Sequence, residues 1–152
     1  MAKQEIIHAA NLVVATLKTA YHIHQHNHWT TSGANFYSNH LLFQRLYESA
    51  LEDLDACAEK MVGYFGVDAV SFPLQAELCH KLMLQYWDVK GVDLSIAIEK
   101  DLVALISETR TKIFIPGIEG SCLGLDNMLN DVSDHRDEAL YLLKQVRGEA
   151  TV

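Results

Sequence analysis

Residues 28–66 read HWTTSGANFYSNHLLFQRLYESALEDLDACAEKMVGYFG, and the period of this stretch decides the fold. After the breaking run TTSGAN, the residues Phe36, His40, Phe43, Tyr47, Ala50, Leu54, Cys57 and Met61 alternate in steps of four and three without a gap. That spacing is the seam of a helix packed in a bundle. Asn35 suits its N-cap, the helix is expected to run to about Tyr64, and Gly66 lies just past its end.

The same period continues on both sides. A first helix is expected from about Gln4 to Trp29, with Ile6, Ala10, Val13, Leu17, Ala20 (or Tyr21) and His24 on one stripe. Pro73 suits the first turn of a shorter helix that ends near Trp87. A third long helix is expected after Asp93, carrying Leu94, Ile98, Leu102, Leu105 and Ile106 until Pro116 and Gly117 stop it. The fourth begins near Ser121 and carries Leu125, Met128, Leu129, Val132, Leu140, Leu143 and Val146. The expected fold is all-α, a four-helix bundle in one domain over residues 1–152. A short helix lies in the long connection between the second and third helices. That connection spans the length of the bundle, so the second and third helices run parallel.

Composition agrees. The chain has 152 residues, 49% hydrophobic and 21% charged, which places it among globular proteins with one sizeable core. Only two prolines and eight glycines interrupt it. A formal net charge of −8 repels phosphate backbones and suits a protein that handles cations. Cys57, Cys79 and Cys122 are odd in number and match no zinc or redox spacing, so they read as reduced thiols of a cytoplasmic protein. No signal peptide is visible in MAKQEIIHAA, and no apolar run reaches the roughly 18 residues that span a membrane.

The second helix has another stripe about 100° from its seam: Tyr37, Leu41, Gln44, Glu48, Leu51, Asp55, Ala58 (or Glu59) and Val62. Either this is a broad buried face within one subunit, or it packs on another subunit. His40 with Gln44, and Asp55 with Glu59, are i, i+4 pairs able to share a metal. His40 and Asp55 are separated by about 22 Å of straight helix, so one chain cannot bring both to one ion. Two antiparallel copies can. The pairs His40/Glu59 and Gln44/Asp55 share one midpoint, between the small residues Ser49 and Ala50. A two-fold axis there makes two equivalent sites per dimer. Imidazole with carboxylate oxygen is a donor mixture that suits iron. The run HIHQHNHW adds His22, His24, His26 and His28, with His24/His28 and His22/His26 each sharing a face.

In its details the opening stretch resembles the signature of the Dps family, the mini-ferritins. The matching parts are His28-Trp29, the Gly33-x-x-Phe36 turn, His40, and Asp55-x-x-Ala58-Glu59-Lys60. The resemblance implies a ferritin-like bundle assembled as a dodecameric cage. Its ferroxidase sites lie at two-fold interfaces, with His28 and His40 from one subunit and Asp55 and Glu59 from its neighbour. Trp29 would stand beside the site to pass an electron and limit radical escape. Fe(II) would be oxidised there, preferably by hydrogen peroxide, and Fe(III) stored as mineral, protecting against oxidative stress.

One position departs from the family pattern: Gln44 stands where a carboxylate is usual. A neutral amide oxygen is a weaker ligand for a hard cation, so the second iron should bind less tightly. Two alternatives follow: a structural cage with an impaired ferroxidase site, or a cage that binds zinc or another divalent ion through its histidines. Asp126 and Asp131 are candidates to line a cation pore. Glu77 and His80 have the E-x-x-H spacing of di-iron bundles but fall in the short connecting helix. Family members often bind DNA through a basic tail. Here only Lys3 precedes the first helix and the chain ends GEATV, so little DNA binding is expected.

Overall fold

The structure is a computed structural model and describes residues 2–148. Helices account for all of its regular elements; no strand occurs among the described residues. Helix α1 (Lys3–Thr30) is rich in small and apolar residues and ends before a turn in which Gly33 takes φ +97°. That left-handed conformation carries no penalty for glycine alone. Helix α2 (Phe36–Phe65) follows and closes at Gly66. A 3₁₀ turn (Val67–Val70) leads into α3 (Phe72–Gln85). The Ser71 hydroxyl caps α3 by accepting from the Leu74 N–H, and Pro73 lies in its first turn. Helix α4 covers Gly91–Thr109, and α6 covers Leu123–Arg147.

Between α4 and α6 the helical run ends at Pro116 and Gly117 as expected, but not as α-helix throughout. It passes through a π turn (Arg110–Phe114) into a single α turn, α5 (Ile115–Gly117). In this turn the Ile115 N–H bonds the Arg110 carbonyl, five residues back. Proline has no N–H to give to the carbonyl four residues behind it, and its ring crowds that carbonyl. A widened turn just before Pro116 relieves the conflict. The helix expected to begin near Ser121 starts two residues later, and α3 ends at Gln85 rather than near Trp87.

Helix directions follow from named contacts. The end of α1 meets the start of α2 through His28 and His40, and it meets the start of α4 through Asn27 and Gly91. Both α2 and α4 therefore run antiparallel to α1 and parallel to each other, with α3 in the connection between them. Helix α6 pairs with both, through Arg45–Glu138 near the start of α2 and Arg110–Asp126 beyond the end of α4, so it runs parallel to α1. The four long helices enclose one core, including Val13, Leu17, Met61, Ile98, Leu102, Phe114, Leu125 and Leu129. Each such side chain contributes roughly 1.5–3 kcal/mol by leaving water. The connection is fastened to α1 by buried Asn11. Its side-chain amide donates to the Asp68 carbonyl at 2.8 Å, and its oxygen accepts from the Ser71 N–H at 2.9 Å.

Candidate metal centre

The turn at Gly33 reverses the chain so that His28, in the last turn of α1, faces His40, in the second turn of α2. Their rings stack with centroids 3.7 Å apart and planes 18° apart. Each ring is tied to the other helix: His28 Nδ1 donates to the His40 carbonyl, and His40 Nδ1 donates to the His28 carbonyl, both at 2.8 Å. A carbonyl can only accept, so both Nδ1 atoms carry hydrogen. The Nε2 atoms are thereby left unprotonated, with their lone pairs free to accept. Phe36 stacks on His40 at 5.1 Å, and Tyr47 meets His28 edge-on at 5.3 Å. Aromatic walls fix the ring planes.

Gln44 lies one turn beyond His40 and is half-buried. Its amide nitrogen donates to Glu48 Oε1 at 3.0 Å, which leaves the amide oxygen for a ligand. Asp55 and Glu59 lie exposed further along α2. Within one chain, no three His, Cys, Asp or Glu side chains gather at one point among the described residues. The structure thus brings His28 and His40 together and leaves Asp55 and Glu59 apart from them.

The second face of α2 is not buried within the chain. Tyr37 is 72% exposed, and Leu41 and Leu51 are also exposed. Of the two readings of that face, burial inside one subunit is excluded. Trp29 is 67% exposed, so it is not a core aromatic of this chain. Asp126 is paired with Arg110, which with the hydrogen bond holds its carboxyl below the usual range and offsets its charge. Asp131 is exposed. Glu77 pairs with Lys81 on the surface of α3. Glu149–Val152, most of the acidic GEATV end, fall outside the described residues.

Sequence reasoning missed a polar network at the centre of the bundle. His24 is fully buried, with Nε2 donating to Glu99 Oε1 at 2.7 Å and Nδ1 2.9 Å from the Ser95 hydroxyl. Asn27 donates to the same hydroxyl at 2.8 Å. Arg136, also fully buried, reaches Glu99 at 2.9 Å, Asp53 at 3.2 Å and the Ser49 hydroxyl at 2.6 Å. His135 Nδ1 contacts Asp53 Oδ1 at 2.8 Å at the edge of the bundle. Burial raises the Asp53 carboxyl above its usual range, although the His135 hydrogen bond and Arg136 oppose this. The hydrogen bond to Asp53 in turn raises His135. The available signal was position: Asp53 follows Leu46 and Ala50 on a buried stripe, and Arg136 stands between Val132 and Ala139.

Comparison with known proteins adds one partial likeness. The chain is 34% identical over 68 residues to the "Nutrient stress-induced DNA-binding protein" of Nostoc sp. (strain PCC 7120). The match covers 45% of this chain and 37% of that protein, so the chain spans little more than a third of the relative's length. No protein-family profile matches the chain, and no solved structure does. Among the described residues no helix is long and apolar enough to cross a membrane.

Proposed function

We propose that this protein is a ferritin-like, Dps-type subunit that oxidises Fe(II) at sites shared between two copies and stores Fe(III) as mineral in a dodecameric cage. The observation that carries the reading is the stacked His28/His40 pair, whose Nδ1 atoms are both occupied and whose Nε2 atoms remain for metal. Three further observations support it. The α2 face bearing Gln44, Asp55 and Glu59 also exposes the apolar side chains Tyr37, Leu41 and Leu51 in the single chain, as a face awaiting a second copy should. The long helices run in the directions that a ferritin-like bundle requires. The partial relative carries a stress-induced, DNA-binding name.

In the proposed dimer, Asp55 and Glu59 of one copy complete the half-site that His28 and His40 make in the other. Iron is here the substrate. Two Fe(II) give one electron each to hydrogen peroxide, which takes up two protons and leaves as water, so no hydroxyl radical is released. Trp29, next to His28 in the chain and exposed, would donate an electron to any stray oxidant. Gln44 favours a second reading, a cage with an impaired ferroxidase centre or one loaded with zinc, because it offers the site no charge. At a net charge of −8 the protein is also expected to bind DNA weakly at moderate salt, unlike what the relative's name says of that protein.

The deciding experiment is stopped-flow Fe(II) oxidation, with peroxide and with oxygen, on protein whose assembly mass is known. The reading expects assemblies larger than a dimer and oxidation well above the uncatalysed rate. Monomers indifferent to Fe(II) would sink it.

A further inference from the structure

Two histidines of the run HIHQHNHW belong neither to the stacked pair nor to the buried network. His22 and His26 are one turn apart on α1, and both are exposed. Both line a cleft of about 700 Å³ between α1, the start of α2 and the segment that joins α3 to α4. Met83, Tyr86, Trp87 and Lys90 form its far wall.

We propose that His22 and His26 bind a borderline transition-metal ion, of the copper(II) or zinc class, in this cleft. Imidazoles at i and i+4 project from one face of a helix and converge on one ion. The cleft lining holds no carboxylate, while it does hold two imidazoles and the thioether sulfur of Met83. Nitrogen and sulfur donors without anionic oxygen select copper and zinc over calcium, magnesium or manganese. His28 and His40 are not part of the cleft lining, so the two sites load independently. His24, which the sequence groups with these histidines, is excluded because Ser95 and Glu99 hold both its nitrogens.

Trp87, 78% exposed, is a built-in reporter. The chain has two tryptophans, so Trp29→Phe leaves Trp87 as the sole fluorophore. In that background, copper(II) added to the assembled protein should quench emission and saturate at one equivalent per chain. His22→Ala/His26→Ala should abolish the quenching and remove one equivalent of zinc in calorimetry. His22→Gln/His26→Gln, which keeps side-chain bulk, should do the same with the assembly mass unchanged. His40→Ala should retain the quenching, which separates this site from the proposed ferroxidase centre. Quenching and zinc stoichiometry that survive both double variants overturn the proposal.

Discussion

His24 and His28 are one helical turn apart on α1, yet the fold treats them in opposite ways. His24 points into the bundle, where Ser95 and Glu99 engage both ring nitrogens and exclude any ligand. His28 has Nδ1 engaged by a backbone carbonyl, while its Nε2 has no hydrogen-bond partner among the described residues. Both nitrogens of His24 are satisfied inside the protein, and only one of His28's is. The same division separates carboxylates. Asp53 and Glu99 are buried against Arg136, while Asp55 and Glu59 face solvent.

The sharpest way to break this contrast is Arg136→Ala. It strands Asp53 and Glu99 in the core and is expected to cost about 3–5 kcal/mol, read as a fall in urea midpoint. His24→Ala should cost about 1–3 kcal/mol by leaving Glu99 short of a donor. His40→Ala should show the reverse pattern. Its denaturation midpoint should move little, whereas peroxide-driven Fe(II) oxidation should fall about ten- to hundred-fold, the scale of losing a group that shapes a metal site. If His24→Ala harms oxidation as much as His40→Ala while leaving stability intact, the assignment of the two rings is wrong.

Gln44→Asp sharpens the open side by restoring an anionic oxygen. Fe(II) should bind more tightly and oxidise a few-fold faster in stopped flow, and an unchanged rate counts against a ligand role for residue 44. The smallest effect concerns His135, half-exposed beside Asp53. Its pKa is raised in the folded state, so its ion pair stabilises fully below the ordinary imidazole value of about 6.5 and is lost as pH rises through the raised value. His135→Gln should flatten the stability profile from pH 6.5 upward by about half a kcal/mol or less, since solvent screens the pair. Urea melts across that range measure it.

Much of the fold was legible because the buried α2 residues Phe43, Ala50, Cys57 and Met61 follow one period, which sequence displays directly. The exposed second stripe was legible for the same reason. The central network was not, because Asp53, Glu99 and Arg136 lie on three different helices and their pairing exists only after packing. The π turn before Pro116 was also hidden, since a proline marks the conflict without saying whether the helix ends or widens. Within the single chain Asp55 and Glu59 stay exposed on α2, away from His28 and His40, so the proposed gathering of all four rests on a second copy.

The reciprocal ties between the His28 and His40 rings and each other's main chain have a mechanical consequence. The two imidazoles lose their rotational freedom when the hairpin forms, so at the proposed centre an incoming metal would not have to immobilise them. Their spacing is then a property of the backbone turn and not of the rings themselves. A bulky side chain at Gly33, where φ is +97°, would distort that turn and shift both rings at the proposed centre, although neither histidine had been changed.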